Sequence, residues 1–333
     1  MAYITLNKKH FFNNLDIIAD KTKTKDKIAI VLKDNAYGHG LLEVATMAKE
    51  YGIKKAVVRC EVEAKMIKDF FEYILVLNDF PTSTHANINY TINDIKSIDR
   101  FPHGTKVELK VDTGMHRNGI AMDELEVALQ KIKEQGLVLD AVFTQHRSAD
   151  ELSSEWFWQN ENFKKVKQKV MACGYDVRFH SANSASLFRY ENFSEDMARV
   201  GIVAYGCMQL PHAIDIDGFK PVLSLYAAKI SSRELKKGEC VGYGATFEAE
   251  KDCIVSNYDF GYGDGFLRSC SNNYKTPHAM ELVGRISMDN SSFLCEDDEL
   301  LIFDDARVVA KSAKTISYEV LTSLKPYIQR KVI

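Results

Sequence analysis

From about residue 10 to residue 220 the chain repeats one physical unit: an amphipathic helix, a glycine stop, then a short β-branched run. Such alternation is the pattern of parallel strands joined by crossover helices. In one unit Leu41, Leu42, Val44, Ala45 and Ala48 fall at helical spacing, Gly52 supplies the stop, and Lys55-Ala56-Val57-Val58 reads as a strand. A second runs from Leu125, Val127, Ala128 and Ile132 through Gly136 into residues 137–143. A third runs from Phe163, Val166 and Val170 through Gly174 into residues 175–179. Residues 28–32, 73–77, 106–111 and 200–205 read as further strands. About seven β/α units in about 210 residues come close to what a (β/α)8 TIM-type barrel requires. An open doubly wound sheet carries the same local pattern and is the alternative.

After Pro221 the texture changes. Residues 222–230 open a series of short strands broken by Gly and Asp, with hardly any helical periodicity. The expected organisation is therefore α/β: a barrel over residues 10–221, followed by a mostly β domain over residues 222–333. The strand-like Tyr3-Ile4-Thr5-Leu6 lies in an N-terminal segment, residues 1–9, expected to pack with that second domain. No long linker separates the two, so they are expected to pack closely.

The chain carries 43 Lys plus Arg against 46 Asp plus Glu, a formal net charge of −3. That balance argues against nucleic acid or an anionic membrane as the main partner. No stretch approaches the roughly 18 apolar residues of a membrane helix, and the N-terminus turns polar before an export-signal core forms. The 7 cysteines are odd in number and contain no Cys-x-x-Cys pair. Neither a disulfide framework nor a zinc site is expected, and a cytoplasmic setting is the default.

The segment with the clearest chemistry is Lys33-Asp34-Asn35-Ala36-Tyr37-Gly38-His39-Gly40, directly after the first apolar strand. On a barrel, the C-terminal ends of the strands form the active-site mouth, so Lys33 would project into it. Desolvation lowers a lysine pKa and makes the amine a nucleophile toward carbonyl carbon. A solvated lysine before an Asn/Gly turn is the plain alternative.

This stretch resembles the pyridoxal-phosphate lysine motif of the alanine racemases, enzymes of fold-type III. Further blocks match in the same order along nearly the whole chain: Asp112-Thr113-Gly114-Met115-His116-Arg117-Asn118-Gly119, His180-Ser181-Ala182-Asn183-Ser184-Ala185, and residues 198–206. Residues 241–247, 261–265 and 283–289 extend the match into the β-rich part. The resemblance implies a barrel followed by a β domain, a pyridoxal 5'-phosphate cofactor, a small amino-acid substrate, and a homodimer with sites shared between subunits.

It also implies roles. Lys33 would hold the cofactor and act as the base on the D-face of the substrate Cα, and Tyr243 from the partner subunit would act on the L-face. Arg199 would bond the pyridine nitrogen. Tyr37, the Ser184 hydroxyl and the amides of Gly201 and Ile202 would hold the phosphate. Arg117 and the Met288 amide would bind the substrate carboxylate, with Lys110, carbamylated in some members, positioning the arginine. Asp150, Tyr262, Arg268, Arg285 and Asp289 would line the entrance.

The chain departs from the family pattern in three places. Gln145 stands where a histidine over the cofactor ring is usual, with His146 one residue on; consecutive strand residues face opposite ways, so His146 is a poor substitute. Val200 replaces the usual proline of the block around Arg199. Pro326 falls where a gating tyrosine is often found, with Tyr327 as the adjacent stand-in. Without a gate the entrance would be wider and the substrate range broader than alanine. The expected activity is interconversion of L- and D-alanine for peptidoglycan. A serine or broad-spectrum racemase and a non-catalytic pyridoxal-phosphate-binding protein are the alternatives.

Overall fold

The computed structural model describes residues 1–214 and 216–333. The first nine strands are β1 (Tyr3–Leu6), β2 (Ile28–Val31), β3 (Lys55–Val58), β4 (Tyr73–Val76), β5 (Ile88–Ile92), β6 (Lys106–Lys110), β7 (Val138–Phe143), β8 (Arg178–His180) and β9 (Ala198–Val200). Eight of them form one parallel sheet in the order β8-β7-β6-β5-β4-β3-β2-β9. Strands add to one side in sequence order and the last returns beside β2, so the order never reverses as it does in a doubly wound sheet. The two remaining edges approach each other, with Asp196 N donating to Phe179 O at 3.2 Å and Arg199 N to Ala182 O at 2.9 Å. The result is a nearly closed barrel. Its strands are apolar without alternation, as in Ile28-Ala29-Ile30-Val31, because helices cover one face and the barrel interior the other.

Three details differ from the sequence reading. β5 follows β4 across an irregular segment, with no helix and glycine stop to announce it. Within residues 200–205 only Val200 is strand; the chain then turns, with Ala204 N on Gly201 O at 2.9 Å and Gly206 N on Val203 O at 3.1 Å. The third unit's strand begins at Arg178 instead of 175.

Beyond the barrel lie β10 (Leu223–Leu235), β11 (Cys240–Val241), β12 (Phe247–Glu248), β13 (Cys253–Tyr258), β14 (Ser291–Phe293), β15 (Glu299–Phe303) and β16 (Gln329–Val332). Two helices, Ala306–Ala313 and Ser317–Ser323, also occur there, where the sequence offered little helical periodicity. The main sheet runs β14-β13-β10-β1-β16, with β15 also on β10. β1 is antiparallel to β10 and parallel to β16, and the Tyr3 ring stacks on Tyr226 at 5.1 Å. The chain thus starts in the C-terminal sheet before entering the barrel through helix Lys8–Thr22.

The junction is stitched by buried Asn14 on that helix. Its amide donates to Ala204 O at 3.0 Å and Lys220 O at 2.8 Å, and accepts from Lys220 N at 2.8 Å. Beside it Gly206 has φ 72°, and a Cβ there would lie 1.9 Å from Lys220 O. Gly206→Ala therefore combines left-handed strain with a backbone clash, and is expected to cost at least about 2 kcal/mol. A fall in the urea midpoint read by circular dichroism checks this; an unchanged midpoint would mean the junction is not rigid.

Candidate active site

At the C-terminal ends of the barrel strands opens a cavity of about 760 Å³. Lys33 and Tyr37 reach it from beyond β2, Lys110 from β6, Gln145 and His146 from beyond β7, Ser184 from beyond β8, and Arg199 and Gly201 from β9 and its turn. Arg117 and Asp150 line it from loops.

The backbone after Lys33 is held in a conformation few residues adopt. Asp34, Asn35, Ala36 and Tyr37 have φ of 54°, 57°, 52° and 52°, a left-handed turn built without glycine. One carboxylate holds its start: Glu63 accepts from Asp34 N at 2.7 Å, from Asn35 N at 3.4 Å and from Arg59 N at 2.8 Å. Arg59 pairs with Asp34 at 3.0 Å, and the Asn35 side chain accepts from Leu41 N at 2.9 Å, fixing the helix that follows. From the β domain, the Arg330 guanidinium donates to Gly38 O at 3.0 and 2.8 Å.

Tyr37 is buried, and burial raises its phenol pKa. It lies against Gly201, where a Cβ would come within 2.9 Å of the Tyr37 hydroxyl. The Ser184 hydroxyl accepts from Gly201 N at 3.1 Å. Tyrosine, serine and amide groups thus converge at a glycine whose missing Cβ makes room for the Tyr37 hydroxyl. Ile202 is buried and its side chain is not among the cavity-lining groups.

Arg199 is buried with four acceptors: His180 Nδ1, Thr144 O at 2.8 Å, Gln145 Oε1 at 3.0 Å and Ser181 O at 3.2 Å. Gln145 is therefore a ligand of the arginine. His146 instead meets the Ser181 hydroxyl at 3.1 Å, and burial pushes its pKa down to about 4. The Asp112 carboxylate accepts from the amides of Gly114, Met115 and His116 at 2.9, 2.9 and 3.0 Å, shaping the loop that carries Arg117.

The cavity is strongly cationic. Lys33, Lys110, Arg117, Arg147 and Arg199 line it, against Asp150 as the acid among the lining residues. Burial, then Arg199 and Arg117, pushes the Lys110 ammonium down to about 8, despite opposing attraction from Asp112. Burial likewise pushes Arg199 down to about 10. Such a site is completed by an anionic ligand.

The remaining sequence-proposed residues are not brought into this cavity by one chain. Tyr243 is 69% exposed, Met288 56%, Tyr262 41% and Tyr327 71%, all on the β domain. Arg268, Arg285 and Asp289 lie there too, with the Arg285 guanidinium against the Tyr243–Ala245 turn. The expectation for the gate needs correction. Tyr327 lies outside the cavity, bonded to Gly263 O at 3.2 Å and Asp264 Oδ1 at 2.9 Å. Tyr318, which the sequence reading passed over, lines the cavity, with its ring 5.7 Å from that of Tyr37. Asn183, Met115 and Gln209 were also missed.

A nearly closed parallel barrel with a lysine at its cationic mouth, joined to a β domain that begins with the N-terminal strand, defines a two-domain class of α/β-barrel protein. Residues 6–209 match the family model of the alanine racemase N-terminal domain, and residues 222–332 that of its C-terminal domain. The chain belongs to the alanine racemase family. It is 47% identical to an alanine racemase of Nitratiruptor over 99% of both chains, and 43% identical to one of Campylobacter curvus over all of both. The crystal structure of alanine racemase from Bacillus anthracis with bound L-Ala-P superposes with a TM-score of 0.90 at 25% identity, covering 100% of this chain and 95% of the other.

The depressed Lys110 pKa makes a stability prediction. Below about pH 8 the ammonium is charged in both folded and unfolded chains and the fold bears its burial; between about 8 and 10.5 the folded form loses the proton first. With bound cofactor stripped, Lys110→Met is expected to stabilise the fold at pH 7 by a few kcal/mol at most. The advantage should shrink as pH rises through that window. Denaturant midpoints at pH 7 and pH 10 test this; an equal gain at both would place the cause in packing instead of charge.

Proposed function

We propose that the protein interconverts L- and D-alanine with pyridoxal 5'-phosphate, as a homodimer in the bacterial cytoplasm, supplying D-alanine for peptidoglycan. What carries the reading is full-length membership of the alanine racemase family, joined to a lysine at the mouth of a cationic cavity. The residues fit the cofactor: an amine at Lys33, a glycine-lined cradle at Gly201 with the Tyr37 and Ser184 hydroxyls, and a buried guanidinium at Arg199. When bound, pyridoxal phosphate supplies the electron sink that acidifies the Cα proton of an amino acid.

Lys33 would hold the cofactor through its amine, and that amine would remove or return the proton on the D-face of the substrate Cα. Tyr243 serves the L-face from the partner subunit, which accounts for a tyrosine in a tight turn standing exposed on the β domain. Arg199 would face the pyridine nitrogen; a guanidinium keeps its proton, so it would leave that nitrogen unprotonated and restrain transamination. Tyr37, Ser184 and the amides of Gly201 and Ile202 would hold the phosphate, and Arg117, steadied by Lys110, would bind the substrate carboxylate with help from the Met288 amide. Asp150, Tyr262, Arg268, Arg285 and Asp289 shape the entrance, and Tyr318 at the cavity wall supports a narrow gate suited to alanine.

Chiral analysis of products from L-alanine is the first test, with D-alanine rising to equality as the expected outcome. Lys33→Ala should abolish both the visible absorbance of the bound cofactor and activity. Tyr243→Phe should lower kcat by about 10²- to 10⁴-fold. Mixing those two inactive variants under subunit exchange should restore about a quarter of wild-type activity, since half the dimers carry one intact site. No recovery despite exchange would rule out a shared site. Bound cofactor without D-alanine would transfer the assignment to another substrate.

A further inference from the structure

Beneath the cavity floor a second polar cluster fills the barrel interior. His180 is fully buried, its ring stacked on Phe143 at 4.7 Å and 12°. Its Nδ1 faces the Arg199 guanidinium, and its Nε2 lies 2.8 Å from Glu108 Oε2, a carboxylate that is also fully buried. The other carboxylate oxygen, Oε1, accepts from Arg178 Nη2 at 3.0 Å and from the Tyr73 hydroxyl. Arg178 is anchored in turn by Asp140 at 2.6 Å.

The donor inventory fixes the protons. A guanidinium only donates, so His180 Nδ1 must be an acceptor; a carboxylate only accepts, so Nε2 must carry the hydrogen. The ring is neutral and held in one tautomer from both sides. Burial, aided by Arg199 and Arg178, keeps His180 below its ordinary pKa, while contact with His180, Arg178 and Tyr73 outweighs burial and holds Glu108 down to about 2.

We propose that Glu108 is a positioning residue for the reaction: by accepting the Nε2 hydrogen of His180 it sets the tautomer whose Nδ1 holds Arg199, and so aims the guanidinium at the cofactor. The proposal rests on the reading above that Arg199 faces the cofactor ring. It explains a fully buried carboxylate on β6 some way behind the cavity floor.

Glu108→Gln tests this with the same shape and no charge. Arg178 and the Tyr73 hydroxyl both donate to the Oε1 side, so the new amide oxygen stays with them and its NH₂ turns to His180. Nε2 must then accept, and the ring proton moves to Nδ1, opposite the donor of Arg199. Long-range proton–nitrogen NMR of the full chain with ring-labelled histidine, recorded without substrate, reads this directly. The expected result is an Nε2–H tautomer in the wild type, identified by its loss in His180→Gln, and an Nδ1–H tautomer in Glu108→Gln. With it kcat should fall about 10- to 100-fold, the loss of one hydrogen bond to a charged group, with KM for alanine changed less than about threefold. Asp140→Asn, which loosens Arg178 without touching His180, should keep the wild-type tautomer.

A wild-type ring protonated on Nδ1 or on both nitrogens would overturn the proposal, whether or not the variant folds. So would a Glu108→Gln protein that loses activity with the tautomer unmoved, or a tautomer that switches in Asp140→Asn as well. The wrong tautomer in an active racemase defeats this proposal alone. The expected tautomers in a protein that makes no D-alanine defeat the functional reading.

Discussion

The site depends on a backbone turn that the chain would not choose for itself. A left-handed turn of non-glycine residues costs on the order of 1–2 kcal/mol per residue, and residues 34–37 hold it together. It persists because its surroundings over-determine it: Glu63 on its first amides, Asn35 onto the next helix, and Arg330 on Gly38 O. The return is geometric. Within five residues the turn presents both the Lys33 amine and the Tyr37 hydroxyl to one cavity. The same turn brings Gly38 so close to the Ser317–Ser323 helix that a Cβ would lie 2.0 Å from Leu321 O. Tyr318, on that helix, is thereby placed over the cavity by the segment that places the lysine.

Charge follows the opposite logic from a stabilised core. Five cations line the cavity, and two buried acids, Glu108 and Glu195, stand behind its floor. Glu195 accepts from Ser181 N at 2.6 Å and from the Ser181 hydroxyl at 2.7 Å, so it supports the segment carrying Arg199's acceptors instead of neutralising the cavity. The cavity surface is therefore left positive, which favours an anion within it. The lowered pKa values of Lys110 and Arg199 are the local record of that arrangement.

Much of this was legible in the chain. Helix, glycine and β-branched runs repeat often enough to mark a parallel barrel, and the motif around Lys33 marks its mouth. β5 escaped because a strand entered from an irregular segment carries no periodic neighbour to announce it. Tyr318 escaped because the family resemblance puts the gate near Pro326, whereas membership of the cavity wall depends on how the last helices fold back over Gly38. Along β6, Glu108 meets His180 and Arg178 inside the barrel, whereas Lys106 is exposed and bonds Ala86 O at 2.7 Å, and Asp112, beyond the strand, caps a loop. Periodicity gives the side of a strand. It does not say how far along the barrel each side chain meets a partner.

The division of labour between floor and roof is the remaining consequence of the architecture. The floor is built from strand ends of one barrel and the segments that follow them, which parallel pairing holds in place. The groups assigned above to the second face of the substrate come from turns of the β domain, and in one chain they stand together in solvent instead of over the cavity. A roof built from a chain's own β domain would have to fold across the mouth and block it. Borrowing the roof from a second copy leaves the mouth accessible from the side, places a tyrosine opposite a lysine without a long loop, and gives the exposed Tyr243, Tyr262 and Met288 a common destination. On that argument the proposed dimer is the simplest way this fold puts two bases on two faces of one carbon.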